Sequence, residues 1–443
     1  MQQQGLEQWL ALVEKRELRV GIIGLGYVGL PLVLLFSGEG FRVTGFDIDQ
    51  AKVERLNAGE SYIHRIEAEQ IQGAREKGFR ATADFSEIAA VDAILICVPT
   101  PLSDHRTPDV SYIVATMEAI SGHLRPGQLV VLESTTYPGT TEELVVPAIE
   151  REGQRVIREG NLEDGVLVAF SPEREDPGNT RVDRRDIPKV VGGAGWLAQE
   201  AAAALYRTAF HRVVRVSSPA AAEMTKLLEN IYRCVNIALV NELKLLCLRM
   251  GIDIWEVIEA AATKPFGFQP FYPGPGLGGH CIPIDPFYLS WKAKEFDFST
   301  RFIELAGEVN EGMPYHVVQA LSSALNRRSK PIKGSRVLVL GLAYKKDVDD
   351  LRESPALTII EMLQREGADV SYNDPFFPTV GQGRRYRLNM RSQPLDDLSV
   401  YDCVLIVTDH SSYDYARIVR EAQLVVDSRN ATRGLQSEKI VHC

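Results

Sequence analysis

The most constraining feature of the sequence is a glycine-patterned turn between an apolar strand and an apolar helix near the start of the chain. The apolar run 18–23 leads into Gly24-x-Gly26-x-x-Gly29, and an apolar helix is predicted over 30–37. A second strand, predicted over 41–46, ends at Asp47. Strand, helix and strand within about 30 residues predict a βαβ unit with parallel strands and a right-handed crossover.

The glycines and the acidic residue in this context indicate a dinucleotide site. Glycines permit the tight turn and the close approach of a pyrophosphate to the helix N-terminus. Asp47 lies where a carboxylate hydrogen-bonds the adenosine ribose diol, which favours NAD over NADP. The predicted cofactor contacts of this unit are Gly24, Gly26, Tyr27, Val28, Gly29 and Asp47. The alternative is a structural glycine turn in an α/β domain that binds no cofactor.

The middle of the chain changes from strands to helices. Apolar runs at 92–98, 128–132 and 166–170 predict further strands of the first sheet. From Pro219 to Met250 no proline or glycine interrupts apolar residues at helical spacing, which predicts one helix of roughly 45 Å. A helix this long is expected to link two domains and to form a dimer interface. It is followed by a predicted helix over 254–262, a loop rich in proline and glycine over 264–286, and further predicted helix that ends at about 326.

The opening pattern returns near the end of the chain. Residues 336–343 resemble 19–26, and a strand ending at Asp374 resembles the one ending at Asp47. The sequence therefore predicts an α/β protein with two Rossmann-like α/β domains joined by a central helical domain with one long helix. The predicted divisions are an N-terminal helix (1–17), an NAD-binding domain (18–215), a central helical and dimerisation domain (216–328) and a C-terminal α/β domain (329–443). The last lacks the full glycine pattern, so its ligand is expected to be something other than a dinucleotide.

Composition excludes several classes of function. The 443-residue chain has a net charge of −10, which argues against nucleic acid as a partner. Six cysteines without C-x-x-C spacing predict free thiols in a reducing compartment. The first residues do not resemble a signal peptide, and no window approaches the roughly 18 to 20 apolar residues that a membrane span requires. We expect a cytoplasmic protein without a membrane partner.

Two short segments carry residues suited to chemistry. Lys226 and Asn230 are four residues apart, so they share a face of the long helix; the alternative is a solvated stripe. The stretch 274–285 has glycines directly before Cys281 and a carboxylate, Asp285, four residues after it. A cysteine at the edge of such a loop is a candidate nucleophile, although buried cysteines are more often inert. His280 is either a ligand or a supporting polar residue, and the histidine spacing predicts no metal site.

Taken together, these motifs resemble the UDP-glucose/UDP-mannose dehydrogenase family, the four-electron nucleotide-sugar 6-dehydrogenases. The resemblance runs from about Arg19 to the end and includes Gly24 to Gly29, Val98-Pro-Thr-Pro101, Glu133-Ser-Thr-Thr-Tyr-Pro-Gly139, Ser171-Pro-Glu-Arg174, Lys226 with Asn230, Gly278 to Asp285, and Lys345-Lys-Asp with Arg352-Glu-Ser-Pro355. Within the family, the stretch around Cys281 is most similar to UDP-N-acetylglucosamine 6-dehydrogenases. Residues 174–178 depart from the UDP-glucose pattern.

The resemblance implies a role for each candidate catalytic residue. Cys281 would add to the C6 aldehyde and carry a thioester, since a thiohemiacetal can lose the second hydride that a bare aldehyde cannot. Lys226 would stabilise the oxyanion, and Asn230 would donate to the same oxygen. Asp285 would activate water for hydrolysis. Two further residues would hold water or substrate nearby: Thr135 and Glu173.

The resemblance also implies the remaining ligand contacts. Beyond the glycine loop, the cofactor would be contacted by Thr100, Thr135 and Arg352. The UDP-sugar would be contacted by Glu173, Lys226, Asn230, Tyr272, Gly274, Gly276, Gly278, Lys345 and Arg429. The product would enter polysaccharide, capsule or O-antigen synthesis. Three alternatives stay open: a different UDP-hexose epimer, a two-electron NAD dehydrogenase of similar layout, and a non-enzymatic nucleotide-sugar binder.

Overall fold

The computed structural model describes residues 2–63, 65–103, 107–175, 182–279, 282–383 and 386–443. These residues form two compact units. The first unit comprises residues 1–229 and 291–298, and the second comprises 230–290 and 299–443.

The first unit is built on an eight-stranded sheet. Its strands are β1 (Arg19–Ile23), β2 (Arg42–Phe46), β3 (Arg80–Thr82), β4 (Ala93–Ile96), β5 (Leu129–Leu132), β6 (Leu167–Phe170), β7 (Lys189–Gly193) and β8 (Val213–Val216). The order is β3-β2-β1-β4-β5-β6-β7-β8, and neighbours run parallel except β6 and β7. Every residue of β4, β5 and β6 is buried, as expected for strands with helices on both faces.

The helices of the first unit cover this sheet. They are α1 (Gln2–Glu14), α2 (Gly29–Gly38), α3 (Gln50–Ala58), α4 (Ala68–Glu76), α5 (Ser111–Ile120), α6 (Val146–Arg151) and α7 (Trp196–Arg207). The first helix belongs to the same core, because Leu6, Trp9 and Val13 are all buried in it. The next helix, α8 (Pro219–Met250), begins in the first unit and ends in the second.

The second unit repeats the parallel design with a smaller sheet. Its strands are β9 (Arg336–Leu340), β10 (Asp369–Asn373), β11 (Thr379–Gln382), β12 (Arg387–Arg391), β13 (Cys403–Ile406), β14 (Val425–Asp427) and β15 (Ile440–His442). Five of them form a parallel sheet in the order β10-β9-β13-β14-β15, and the other two, β11 and β12, pair antiparallel. Its helices are α9 (Ile254–Ala262), the first six residues of α10 (Asp285–Ala293), α11 (Arg301–Asn326), α12 (Pro355–Arg365) and α13 (Tyr415–Glu421); residues 291–293 of α10 belong to the first unit.

Strand order places the candidate loops in both sheets. In the first sheet β1 lies between β2 and β4, and in the second β9 lies between β10 and β13. The chain adds strands on one side of the central strand and then crosses to add strands on its other side. Ligands of open α/β sheets bind at the carboxyl ends of the strands where this change of side occurs. The predicted fold class is confirmed. The three-domain division stays a prediction, since the described chain separates into two units with the boundary inside α8.

Candidate functional site

The loop after β1 uses its three glycines for different reasons. Gly24 has φ +88°, and a Cβ there would lie 2.7 Å from the carbonyl oxygen of Cys97. A Cβ on Gly29 would overlap the carbonyl oxygen of Gly24. At Gly26, by contrast, an added Cβ would meet no described atom within 4 Å. Protein packing therefore requires the first and third glycines, whereas the second leaves backbone accessible to a ligand, as a bound pyrophosphate needs.

Asp47 follows β2 directly and reaches this loop. Its Oδ2 accepts a hydrogen bond of 2.9 Å from the backbone N–H of Leu25, and its Oδ1 accepts one of 3.0 Å from that of Asp49. The side chain is buried, and Lys52 Nζ lies 3.7 Å from Oδ2. The carboxylate is thus held beside the glycine loop, at the place where a ribose diol is bound in dinucleotide folds. The residues present fit NAD.

The loop after β5 is fastened to α8. Lys226 Nζ donates a hydrogen bond to Thr135 Oγ1. One turn earlier on the helix, the buried carboxylate of Glu223 accepts hydrogen bonds from the N–H groups of Gly139 and Thr141, at 2.6 and 2.9 Å. Two side chains of one helix face therefore fix the loop that carries Thr135. Thr100, after β4, is also buried in this unit.

Glu173, three residues after the end of β6, is a buried and rigidly bound carboxylate. Its Oε1 accepts hydrogen bonds of 2.8 Å from the N–H groups of Arg174 and Glu175. Burial opposes ionisation of this group, but the positive charges of Lys189, Arg184 and Lys226 outweigh it and lower the pKa of Glu173 to about 2. Glu173 is accordingly an anion at neutral pH, in the same unit as Lys226 and Thr135.

In the second unit, Asn230 and Asp285 form a direct pair. The Asn230 amide donates a hydrogen bond of 2.6 Å to Asp285 Oδ2. Asp285 is buried and is the first residue of α10, where the helix dipole favours a negative charge. Cys281 and His280 lie outside the described residues. Lys226 and Asn230 share a helix face but bond to different partners. Lys226 bonds to Thr135 within the first unit, and Asn230 bonds to Asp285 within the second.

The glycine stretch before Cys281 is packed tightly against other parts of the second unit. The N–H of Gly274 donates to Asn241 Oδ1 at 2.9 Å, and the N–H of Gly279 donates to the carbonyl oxygen of Arg352 at 2.8 Å. A Cβ on Gly278 would lie 2.5 Å from Cβ of Tyr344. Two of the backbone N–H groups of this stretch, those of Gly274 and Gly279, therefore bond within the protein.

The other predicted substrate residues of the second unit lie around this stretch. The Arg429 guanidinium donates from Nε to the carbonyl oxygen of Val407 at 2.9 Å, and its Nη1 lies 2.6 Å from the position of a Cβ on Gly274. Tyr272 is 46% exposed and stacks on Trp255, with ring centroids 5.6 Å apart. In the same unit, an added Cβ on Gly276 would meet Pro355, Lys345 is half-buried, and Arg352, which is predicted to contact the cofactor, pairs with Asp350 at 2.7 Å.

The second unit also repeats the strand-end geometry of the first. Asp374, after β10, accepts hydrogen bonds from the N–H groups of Leu342 (2.6 Å) and Ala343 (3.0 Å), as Asp47 accepts from Leu25. Gly341 has φ +85°, and a Cβ there would lie 2.6 Å from the carbonyl oxygen of Thr408. Asp374 differs from Asp47 in accepting from a fully buried histidine, His410, at 3.1 Å. This carboxylate is committed to holding its own loop.

Three residues of these sites carry no signal in the sequence: Lys189, Glu223 and His410. Each is a buried polar side chain whose partner is distant in sequence, so only the fold brings the pairs together. Among the described residues no group of His, Cys, Asp and Glu is arranged to hold a metal ion. Within the same part of the chain, every helix is too short or too polar to cross a bilayer.

Comparison with known proteins identifies the family. Three models of the UDP-glucose/GDP-mannose dehydrogenase family match: its NAD binding domain over residues 18–210, its central domain over 220–312 and its UDP binding domain over 338–434. The family name pairs mannose with GDP, which corrects the UDP-mannose of the resemblance.

Characterised relatives match over nearly the whole chain. A UDP-N-acetyl-D-glucosamine 6-dehydrogenase of Pseudomonas aeruginosa is 34% identical over 400 residues, covering 90% of this chain and 92% of the relative. An NDP-N-acetyl-D-galactosaminuronic acid dehydrogenase of Ralstonia nicotianae is 35% identical over 430 residues, covering 95% and 96%.

A solved structure, the UDP-D-ManNAc dehydrogenase of Pyrococcus horikoshii, superposes with a TM-score of 0.85 at 31% identity, covering 96% of this chain and 99% of that one. The residues matched by the NAD binding domain include the glycine loop and Asp47. Those matched by the UDP binding domain include most of the second sheet. The chain belongs to the UDP-glucose/GDP-mannose dehydrogenase family of NAD-dependent nucleotide-sugar dehydrogenases.

Proposed function

We propose that this protein oxidises the C6 hydroxyl of a UDP-N-acetylhexosamine to the carboxylate, with UDP-N-acetylglucosamine as the favoured epimer. The observation that carries the proposal is the pair of contacts Lys226–Thr135 and Asn230–Asp285 in a chain of this family. Relatives named for N-acetylglucosamine and N-acetylgalactosaminuronic acid support an N-acetylated substrate. The stretch around Cys281 favours the gluco epimer.

The first oxidation requires charge stabilisation at the C6 oxygen. The Lys226 ammonium, buried and fixed by Thr135, supplies a positive charge where the alkoxide develops, and Asn230 donates to the same oxygen. NAD would be held by the glycine loop and Asp47 together with Thr100, Thr135 and Arg352, and it would supply the hydride acceptor, with one NAD molecule for each of the two oxidations.

The second oxidation depends on Cys281. Its thiolate adds to the aldehyde carbon, forming a C–S bond and a tetrahedral alkoxide that Lys226 again stabilises. Loss of a hydride from this thiohemiacetal leaves a thioester. Water then adds to the thioester carbon, the C–S bond breaks, and the thiolate leaves as the carboxylate forms. Asp285 takes the proton of that water, and Glu173 orients it.

The UDP-sugar is held in the second unit. The residues proposed to contact it there are Asn230, Tyr272, Gly274, Gly276, Gly278, Lys345 and Arg429, and from the first unit Glu173 and Lys226. We propose the divisions 1–17, 18–215, 216–328 and 329–443 as functional domains, the last one binding the nucleotide. The uronic acid product serves cell-surface polysaccharide synthesis, such as capsule or O-antigen. The five described cysteines are free thiols, which supports a reducing compartment and hence the cytoplasm.

The protein is further proposed to act as a homodimer or a higher homo-oligomer through α8. Large apolar side chains recur along one stripe of this helix at spacings of three, four and seven residues, and all are exposed: Leu228, Tyr232, Leu239, Leu243, Leu246 and Met250. A contiguous apolar stripe of this kind marks a protein interface. A second copy of the chain is the proposed partner.

The deciding experiment is the stoichiometry of NADH formed per sugar consumed. Purified protein is given excess NAD with UDP-N-acetylglucosamine, its galacto and manno epimers, or UDP-glucose. Two NADH per sugar in the wild type, with no uronic acid formed by Cys281→Ala, is the expected result, and the fastest sugar names the substrate. A ratio of one identifies a two-electron dehydrogenase and removes the role of Cys281. No turnover with any sugar, combined with UDP-sugar binding, identifies a nucleotide-sugar binder.

A further inference from the structure

A buried lysine in the first unit has no role in the chemistry above. Lys189, the first residue of β7, is 3% exposed. Its Nζ lies 2.5 Å from Glu133 Oε2 and 3.4 Å from Glu173 Oε2. The Tyr206 hydroxyl donates to the other oxygen of Glu133. The result is a buried chain of contacts, Tyr206–Glu133–Lys189–Glu173, that ends on a residue of the proposed site.

This chain completes the fixation of Glu173. Oε1 of Glu173 already accepts two backbone N–H groups at 2.8 Å, and Lys189 holds the other oxygen. Lys189 is itself fixed by Glu133 and lies over the rings of Tyr206 and Phe210, at 5.1 and 5.4 Å from their centroids. A carboxylate held at both oxygens by a fixed cation and two amides can accept a hydrogen bond in a defined direction.

We propose that Lys189 is a positioning residue that holds the Glu173 carboxylate as a fixed anion, so that Glu173 orients water or substrate and does not carry a proton. The inference rests on the proposed function, because it states which carboxylate of that site orients water and which one takes the proton. Proton transfer during thioester hydrolysis is then left to Asp285.

Electrostatics agree with the geometry. Burial would lower the pKa of Lys189, but Glu133 and Glu173 outweigh it and raise that pKa. The Lys189 ammonium is the shared partner of two buried carboxylates, Glu133 and Glu173. Burial raises the pKa of Glu133. Removing the lysine would leave two buried carboxylates side by side, which forces proton uptake. Among the described residues, the charged and titratable groups that interact with Glu173 or with its partner Glu133 include Arg174, Glu175, Arg184, Lys189, Lys226, Cys97 and Tyr206.

The test compares Lys189→Met with Lys189→Arg and with Lys292→Met, a matched control. Lys292 is also a buried lysine of the first unit, but it pairs with Glu143 and Glu295 instead. NADH formation is measured from about pH 5 to about pH 9. Lys189→Met is expected to gain an acid limb on which kcat falls about tenfold per pH unit. Lys189→Arg and Lys292→Met are expected to keep the wild-type profile.

A double variant shows whether the effect passes through Glu173. In Glu173→Gln position 173 has no carboxylate that could be protonated, so adding Lys189→Met is expected to change kcat less than about twofold and to produce no acid limb. A wild-type pH profile in Lys189→Met overturns the proposal, as does an equal loss of activity in the Glu173→Gln background. If Lys189→Met does not fold, the pair Lys189→Met with Glu133→Gln leaves Glu173 as a single buried carboxylate without its lysine, and an acid limb that Glu133→Gln alone lacks is the expected result.

An infrared measurement separates this proposal from the proposed function. The difference spectrum between acidic and neutral pH reports carboxyl protonation without any turnover. Lys189→Met is expected to show one protonated-carboxyl band in addition to those of the wild type, and this additional band is expected to vanish in Lys189→Met with Glu173→Gln. If no UDP-sugar is oxidised, this band still decides whether Lys189 keeps Glu173 ionised; its absence from Lys189→Met overturns the inference.

Discussion

The Asn230 amide donates a 2.6 Å hydrogen bond to Oδ2 of Asp285, fixing the carboxylate at the first residue of α10. A carboxylate oriented in this way can receive a proton from water without rotating, which is the requirement for a general base in thioester hydrolysis.

Asp285→Asn is therefore expected to separate oxidation from hydrolysis. The amide keeps the size of the carboxylate but cannot accept the water proton, so we expect thioester hydrolysis to slow by about 10² to 10⁴. A burst of two NADH per active site followed by slow turnover should appear in stopped-flow traces. Mass spectrometry of the acid-quenched protein should show a covalent sugar adduct. The control, Asp285→Asn with Cys281→Ala, should show none; wild-type turnover by Asp285→Asn alone would rule out this role.

The glycine loop offers a pair of similar changes with opposite outcomes. Gly26→Ala is expected to fold normally, since the new methyl meets no described atom within 4 Å, but to raise KM for NAD about tenfold or more by blocking the pyrophosphate. Gly29→Ala is expected to cost about 3 kcal/mol or more in unfolding free energy, because its methyl would overlap the Gly24 carbonyl. Thermal unfolding measures the stability of the two variants, and activity at varied NAD concentration measures their KM for NAD. Equal thermal stability of the two variants would contradict the distinction.

Much of the fold follows from local sequence patterns. The long helix appears with the predicted bounds, Pro219–Met250, because an uninterrupted apolar periodicity fixes both type and length. Buried parallel strands such as β4 (Ala93–Ile96) are recognisable because both faces are apolar. The strands β7 and β8 were not predicted, nor was the antiparallel pair β11 and β12. Each of these segments is four or five residues long and contains glycine, a charged residue or a polar residue, so none gives the uninterrupted apolar run that marks β4.

The residues of the candidate site also differ in whether a local sequence pattern reveals them. Residues in dense local motifs, such as Gly24 and Asp47, are found from spacing because the motif itself describes the local geometry. Lys189 is not found, since its partner Glu133 is 56 residues away and a single lysine at a strand start gives no signal. Gly278 illustrates a third case, in which the pattern is visible but its cause, packing against Tyr344, depends on a distant loop.

Asp47→Asn is expected to weaken NAD binding specifically. Asparagine retains an acceptor for the Leu25 N–H but loses the charge that strengthens a hydrogen bond to the ribose diol. We expect KM for NAD to rise about tenfold, with kcat little changed, and NADP to be used better because a negative charge facing its phosphate is gone. The matched control is Asp374→Asn, the corresponding position of the second sheet, which should leave KM for NAD unchanged.

Asp374→Asn is expected to change the pH dependence of stability instead. Burial would raise the pKa of Asp374, but hydrogen bonds from His410 and the Ala343 N–H outweigh it and lower that pKa. Because the folded pKa lies below the unfolded value of about 4, the ionised group stabilises the fold above that pH. This stability is lost as pH falls through the folded pKa. Denaturant unfolding at several pH values should show a variant that is less stable at pH 7 and less sensitive to acid; an unchanged acid sensitivity would contradict the assignment.

The apolar stripe on α8 makes a prediction about assembly. Leu239 and Leu243 are one turn apart and are 53% and 37% exposed in the single chain. Placing a carboxylate at both positions would bury two charges in the proposed interface, at a cost of several kcal/mol. Leu239→Glu with Leu243→Glu is therefore expected to sediment as a 49.2 kDa monomer. Arg233→Glu, an exposed position on another face of the same helix, should remain associated like the wild type. A wild type that already sediments as a monomer would remove α8 as an interface between copies.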